Sequence, residues 1–257
     1  MRVFHVTAML RPSVLCSVVL LLSACAIAPV ESPAFADVTP FSTNSDGAHL
    51  PLNWQSLVIS RAKAPTHYQT VFDPQAQRVV LRAHAKRACT GLKQRLNIDP
   101  SSRPFIAWEW RVMHLIEGAD NTNRDAEDSP VRLLLFFDGD RGGLPVRDQV
   151  ALDLAQAASG VAPPYATLMY IWENRQPVGT VIDSSFTGQV KMIVAGSGPN
   201  LLGGWKKFER NYVDDYRLAF GRAPGRLIGV GILTDSDNTG AVVEAFYGDI
   251  RLLSALP

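Results

Sequence analysis

The sequence predicts a mainly β protein, a single β-sandwich of jelly-roll type with two helices in its connections. From Phe41 onward, short apolar or alternating runs are separated by Gly, Pro, Asn and Asp, which is the pattern of strands and turns. Only two stretches depart from this pattern and indicate helices. The chain has 257 residues, 47% of them hydrophobic, so one large core forms without the support of metal or disulfides.

The first element is a targeting segment, residues 1–24. Arg2 and Arg11 supply its positive start, and Ser13 to Leu22 form an apolar run that is too short to span a bilayer. The run ends in the letters LSAC, which resemble a bacterial lipobox. We therefore expect a signal peptide that is cleaved before Cys25, with a lipid attached to the thiol of that cysteine.

The residues after the cysteine predict where the protein is held. Ala26 resembles the sorting signal for the outer membrane, so we expect an outer-membrane lipoprotein on the periplasmic side of the cell envelope. Residues 25–40 are rich in Pro and Ala and are interpreted as a lipid-anchored tether, followed by the folded domain at 41–257. The alternative cleavage pattern Ala34-Phe35-Ala36 would instead release a soluble periplasmic protein, but it lies far beyond the apolar run.

Strands and two helices follow along the domain. The first helix is predicted at Val146 to Ser159 and ends at Gly160; the second is predicted at Trp205 to Phe220 and ends at Gly221. In the second helix, aromatic residues recur every four positions and are expected to pack in the core: Phe208, Tyr212, Tyr216 and Phe220. The strand candidates are Gln77 to His84, Phe105 to Met113, Val131 to Phe137, Thr167 to Trp172, Gly179 to Ile182, Gln189 to Ala195, Leu227 to Leu233 and Val242 to Leu252.

Charge and cysteine content exclude several classes of protein. The formal net charge is +1, and it becomes −1 once Arg2 and Arg11 leave with the signal peptide, so we expect no nucleic-acid partner. Three cysteines are too few for a disulfide scaffold. Cys16 leaves with the signal peptide and Cys25 carries the lipid, so Cys89 has no partner and is interpreted as a half-buried structural residue.

Several enzyme signatures are missing from the sequence. It contains no G-x-S-x-G elbow, no phosphate-binding glycine loop and no H-E-x-x-H motif. The histidines of the processed chain are widely spaced, and each is interpreted as a structural or surface residue: His49, His67, His84 and His114.

Three acidic loops carry the residues that are most suited to bind a ligand. They are residues 119–130, 138–140 and 234–239, and each follows or precedes an apolar strand. Clustered carboxylates and amides are oxygen ligands that suit Ca²⁺, and the metal candidates are Asp235, Asp237 and Asn238. The alternative is that these residues form turns in solvent.

The segment Trp108-Glu109-Trp110-Arg111 alternates between two faces of its strand. The tryptophans share one face, which is either packed in the core or exposed as a platform for sugar rings. Glu109 and Arg111 share the other face. Because glycosidases act with two carboxyl groups, Glu109 and Asp128 are the candidate catalytic pair of a glycan hydrolase.

Several motifs together resemble one known family. They are WEWR at 108–111, GADNTNRDAEDSPVR at 118–132, LMYIW at 168–172, DYRLAFG at 215–221, TDSDNT at 234–239 and YGDI at 247–250. The chain resembles, roughly from Phe41 to Leu252, the bacterial family catalogued as domain of unknown function 3047. The resemblance implies a secreted or lipid-anchored envelope protein and carries over no catalytic assignment. The family's recurring polar positions are Asp120, Arg124, Asp128, Arg132, Asp235, Asp237, Asn238 and Thr239.

The sequence thus predicts a lipid-anchored β-sandwich that binds a ligand at the acidic loops. The ligand is expected to be a carbohydrate or another small molecule, with Ca²⁺ as the candidate cofactor. One alternative is the hydrolase with Glu109 and Asp128. Another is a purely structural role, in which Asp128 pairs with Arg124 or Arg132 and Asp235 with Asp237 only to fasten loops.

Overall fold

A computed structural model describes Met1 and residues 33–256 of the chain. The predicted signal peptide and Cys25 lie outside the described residues. Within 33–256 the structure has two α-helices, α1 (Val146–Ser159) and α2 (Tyr212–Phe220). The strands of the same part of the chain are β1 (Gln55–Val58), β2 (His67–Asp73), β3 (Arg78–Lys86), β4 (Cys89–Ile98), β5 (Phe105–Val112), β6 (Ser129–Phe137), β7 (Ala166–Glu173), β8 (Val181–Asp183), β9 (Val190–Ser197), β10 (Lys206–Asn211), β11 (Leu227–Asp235), β12 (Val242–Tyr247) and β13 (Arg251–Leu253).

The strands form two sheets that pack face to face. The first has seven strands in the order β1-β4-β11-β6-β7-β9-β8, and the second has six, in the order β10-β5-β12-β3-β2 with β13 beside β5. The pairs are antiparallel except for β7 with β9. Inward-facing side chains of both sheets form one core, so the prediction of a mainly β sandwich with two helices is confirmed.

The tryptophans of β5 lie in this core. Trp108 is 3% exposed and Trp110 is fully buried. Trp108 stacks on Tyr170 of the opposite sheet, with ring centroids 4.8 Å apart, and on Phe208 at 5.1 Å. The core interpretation of these residues is therefore confirmed, and the platform for sugar rings is wrong at this position.

One predicted helix begins later than its aromatic spacing suggests. Helix α1 has the predicted bounds, but residues 206–211 of the second helix form β10, and only 212–220 are helical. Strand β10 pairs with β5 and sends Phe208 against both tryptophans. The Asn211 side chain then accepts hydrogen bonds from the N–H groups of Val213 and Asp214, which starts α2.

A second difference concerns the predicted strand 242–252, which is divided in two. Strand β12 ends at Tyr247 and β13 begins at Arg251. Gly248 donates its N–H to the carbonyl of Glu109, and a Cβ on this residue would lie 2.4 Å from Glu109 Cγ. Only glycine permits this close approach, and the chain turns there.

The folded domain begins earlier than residue 41. Phe35 donates its N–H to the carbonyl of Arg95 at 3.0 Å and accepts from the N–H of Asn97 at 3.2 Å. Val38 is buried, and the N–H of Thr39 donates to Gln94 Oε1 at 2.8 Å. Residues 35–40, assigned to the tether from their composition, therefore pack on β4. The proline and alanine content of a segment does not indicate whether its backbone pairs with a strand.

Neither helix of the described part combines the length and the apolar character that crossing a membrane requires.

Candidate functional site

Two of the three acidic loops meet in the structure. The carboxylate of Asp128 accepts hydrogen bonds from Asn238 N at 3.2 Å, Thr239 N at 2.7 Å and Thr239 Oγ1 at 2.6 Å. Asn238 Nδ2 donates to the carbonyl of Arg124 at 3.1 Å. Asp128 is 1% exposed and both of its oxygens have protein donors. Asp128 therefore fastens the loop before β6 to the loop after β11.

Arg132 and Asp235 form a buried ion pair on the outer face of the seven-stranded sheet. Arg132 Nε donates to Asp235 Oδ1 at 3.2 Å, and the N–H of Ser129 donates to the same oxygen at 2.9 Å. Arg132 also donates from Nη2 to the carbonyl of Glu127 at 2.9 Å. Arg132 is 2% exposed, although its side chain lies on the face of β6 that points away from the main core. The loop that contains Glu127 covers the guanidinium.

Burial shifts the pKa values of the groups in and around this pair. Loss of water raises the pKa of Asp235 to about 6, while Arg132 opposes the shift. Burial lowers the pKa of Arg132, but the carboxylates of Asp235 and Glu127 outweigh burial and leave it raised. Burial also raises the pKa of Glu127. Such shifted carboxyl groups concentrate at functional sites, although structural ion pairs produce them as well.

Cys89 lies directly opposite Asp235 in the β4–β11 register. It is 3% exposed, and burial raises the pKa of its thiol. The sulfur and one carboxylate oxygen each of Asp235 and Asp237 lie within 4.8 Å of one another. No sequence motif predicted that Cys89 lies beside Asp235 and Asp237, because a single cysteine outside a metal motif has no recognisable partner.

Lys63 closes the cluster from the segment before β2. Its Nζ lies 2.7 Å from Asp237 Oδ2, whereas Asp237 Oδ1 is buried without a hydrogen-bond partner. Burial lowers the pKa of Lys63, but the bond to Asp237 and nearby negative charge raise it overall. Glu127 Oε2 is a second buried acceptor without a partner. The cluster thus holds more carboxylates than cations and leaves two acceptor atoms available.

The other acidic candidates form local turns. Asp120 accepts from Thr122 N and Thr122 Oγ1, and these bonds lower the pKa of Asp120. Asp138 and Asp140 accept from backbone N–H groups one and two residues further on. For these residues the turn interpretation fits the geometry.

The two candidate catalytic carboxylates have different surroundings. Glu109 lies on the outer face of the six-stranded sheet in an ion pair with Arg78. Asp128 bonds to the loop after β11. Among the described residues the two have no common contact, and the geometry offers no shared position for a glycosidic bond.

Solved structures show only distant likeness. A tailspike protein of bacteriophage CBA120 aligns at 9% identity and TM-score 0.35, over 79% of this chain and 19% of that one. A β-1,2-glucanase from Parabacteroides distasonis aligns at 10% identity and TM-score 0.39, over 88% and 26%. The K3 adhesin domain of Lys-gingipain from Porphyromonas gingivalis aligns at 8% identity and TM-score 0.37, over 85% and 99%. The chain thus spans about a fifth to a quarter of the first two structures.

No curated protein matches the sequence. One family model does, across residues 52–251, which include both converging loops and every strand from β1 to β12. The chain therefore belongs to the family described as Protein of unknown function (DUF3047).

Proposed function

We propose that this protein is an envelope lipoprotein whose β-sandwich domain binds a divalent metal ion through Cys89, Asp235 and Asp237. One observation supports the proposal above the others: three ligand atoms lie within 4.8 Å of one another. Metal–ligand distances are about 2.0–2.3 Å for carboxylate and thiolate, so small side-chain movements suffice for one ion to join them. The unpartnered Oδ1 of Asp237 is then an available ligand atom.

The ligand set favours Zn²⁺ over the Ca²⁺ expected from the sequence. Ca²⁺ takes about six to eight oxygen ligands, and the oxygens of Asp128 are already engaged with Asn238 and Thr239. A thiolate beside two carboxylates suits Zn²⁺, which accepts sulfur and oxygen in a four-coordinate site.

Binding requires changes in two groups. The thiol of Cys89 must lose the proton that burial stabilises, and Asp237 must exchange its bond to Lys63 for the ion. Because a proton leaves when the ion enters, affinity is expected to rise with pH.

The test is a titration of the full processed protein with Zn²⁺ and with Ca²⁺, followed by calorimetry and thermal melting. We expect Zn²⁺ to raise the melting temperature, since an ion at a hundred times its Kd adds about 2.7 kcal/mol. Cys89→Ser and Asp237→Asn should each weaken binding at least about tenfold. The matched control Asp140→Asn, in an exposed turn, should bind as the wild type does. A wild-type protein whose melting temperature neither ion changes contradicts the proposal.

The structure supports cleavage before Cys25 over cleavage after Ala36. The later cut would remove Phe35, whose backbone pairs with Arg95 and Asn97 and whose ring packs on the core. Cleavage before Cys25 retains these contacts and leaves Cys25 as the first residue. For this reason we propose that a lipid is attached to Cys25. Labelling with palmitate checks it: the label should be lost in Cys25→Ser, and an unlabelled wild type would contradict it.

Carbohydrate binding is a second candidate, at the outer face of the six-stranded sheet. There the guanidinium of Arg111 lies between Trp205, 5.5 Å from its ring centroid, and Phe246, at 4.2 Å. Trp205 is half-buried and also donates to Asp73 Oδ1 at 3.2 Å. Planar polar groups beside an indole offer both hydrogen bonds and a ring face to a sugar.

A panel of soluble polysaccharides in affinity electrophoresis tests this candidate. Retardation of the wild type that Trp205→Ala abolishes would support it, with Phe186→Ala as the control for loss of an exposed aromatic ring. If no polysaccharide retards the wild type, the candidate is wrong.

A further inference from the structure

Three of the four histidines within residues 33–256 line one surface depression. They are His49, His67 and His84, around a cavity of about 300 Å³. The sequence interpretation treated each as an isolated structural or surface residue. The fold brings them together from a loop and two strands, at a place distinct from the Cys89 cluster.

Sheet pairing sets the position of two of these side chains. His67 of β2 lies directly opposite His84 of β3. Both alternate with core residues, Tyr68 and Ala83, so both imidazoles project from the outer face. Directly opposite residues have Cβ atoms about 4.5–5.5 Å apart, so rotation of the two side chains can bring both imidazoles to one ion.

His49 is held beside them by the edge of β2. The preceding residue, Ala48, makes two hydrogen bonds with Thr70: Thr70 N donates to Ala48 O at 2.8 Å, and Ala48 N donates to the side-chain Oγ1 of Thr70 at 2.9 Å. His49 and His67 are exposed and His84 is half-buried. Their rings can therefore reorient without disturbing the core.

Few other side chains that line the depression can bind a metal ion. Its remaining lining is Tyr68, Gln69 and Arg82. The guanidinium of Arg82 is matched by Glu244, which accepts from Nε at 2.6 Å. Imidazole nitrogens are thus the main ligand atoms of the depression, and imidazole nitrogen suits Zn²⁺, Cu²⁺ and Ni²⁺ over Ca²⁺ or Mg²⁺.

We propose that His49, His67 and His84 form a second metal site, which binds a transition-metal ion through imidazole nitrogens. The site shares no residue with the Cys89 cluster. It is accessible from solvent, so an ion exchanges there without a change in the core. The two strand histidines supply the fixed part of the site, and His49 completes it from the loop.

The test uses the full processed protein without an affinity tag, at pH 7.5, in a Cys89→Ser background that lacks the first proposed site. Cu²⁺ and Zn²⁺ are titrated by calorimetry, and retention on immobilised Ni²⁺ is measured. We expect one bound ion per chain. His67→Ala and His84→Ala should each lower affinity at least tenfold, and His49→Ala should lower it less.

His114→Ala is the matched control, because this ring contacts Val242 O instead of the depression. It should retain full binding, and thermal melting of each variant verifies that the fold is intact. The proposal is overturned if neither ion binds, if His114→Ala loses as much affinity as His84→Ala, or if the depression binds only inorganic phosphate. Because binding to Cys89 is removed beforehand, failure of that first site leaves this result unaffected.

Discussion

Two arginine–carboxylate pairs, one on the outer face of each sheet of the sandwich, are buried to different degrees. On the seven-stranded sheet, the Arg132 and Asp235 side chains are 2% and 7% exposed. On the six-stranded sheet, the Arg82 and Glu244 side chains are 44% and 30% exposed. Both pairs join a guanidinium to a carboxylate. They differ in exposure because a loop covers the Arg132–Asp235 pair.

This difference changes what each pair contributes. Exposed pairs are worth about 0–1 kcal/mol, because water screens the charges and the side chains lose entropy. A buried pair has lost its hydration, so each charge depends on its partner. The buried Arg132–Asp235 pair therefore has shifted pKa values and lies beside the unpartnered acceptors of the Cys89 cluster, whereas the exposed Arg82–Glu244 pair contributes little to stability.

The largest expected effect comes from removing one buried charge. Arg132→Met removes the charged partner of Asp235 and the donor to the carbonyl of Glu127, and should lower the free energy of unfolding by about 3–5 kcal/mol. Arg82→Met, at the exposed pair, should lower it by less than about 1 kcal/mol. Urea denaturation followed by tryptophan fluorescence measures both. Equal losses of unfolding free energy in the two variants would show that burial does not determine how much each ion pair contributes to stability.

A smaller effect is expected at the junction of the two acidic loops. Asp128→Ala removes the acceptor for three hydrogen bonds from Asn238 and Thr239, and should cost about 2–4 kcal/mol of unfolding free energy. Asp120→Ala removes an acceptor within its own turn and should cost under about 1 kcal/mol. The same denaturation assay compares them. A cost for Asp128→Ala no larger than that of its control would refute the fastening role.

The smallest effect is a pH dependence that distinguishes the buried pair. The pKa of Asp235 is about 6 in the folded protein, against an ordinary 3.8, so the folded state binds the proton more readily. The contribution of this group to stability is therefore largest at low pH and is lost as pH rises through about 6. Stability should increase by about 1 kcal/mol from pH 7 to pH 5 on its account.

Asp235→Asn tests this dependence and should flatten it. Asp120→Asn should keep it, because hydrogen bonds lower the pKa of Asp120 and its effect appears only below that range. Chemical denaturation at pH 5, 6 and 7 measures the slopes. If Asp235→Asn and the wild type have the same slope, the assignment to Asp235 is wrong.

Much of the fold follows from local pattern. Period-two alternation predicted most strands, and the glycine after Ser159 marked the end of α1. Strand β4 was not predicted because the polar Gln94 occupies an inward position between Leu92 and Leu96 and breaks the apolar alternation. In the structure the Gln94 side chain donates a hydrogen bond to Thr39 Oγ1. Strand β10 was assigned to a helix because its aromatic spacing fits either structure, and pairing with β5 decides it.

The candidate site was predicted only in part. Asp128, Arg132, Asp235, Asp237, Asn238 and Thr239 do lie in or beside the cluster, whereas Asp120 does not. Cys89 and Lys63 join it through register and loop packing, which leave no mark on the local sequence.

The sequence by itself determined the β class, the acidic loops and the shared strand face of the two tryptophans, because hydrophobic periodicity and turn chemistry act between neighbours in the chain. The tertiary structure alone decided which charges are covered, which acceptors remain unpartnered and which histidines meet. Those properties depend on side chains far apart in sequence, and on loops that exclude water from some ion pairs of the outer faces and leave others exposed.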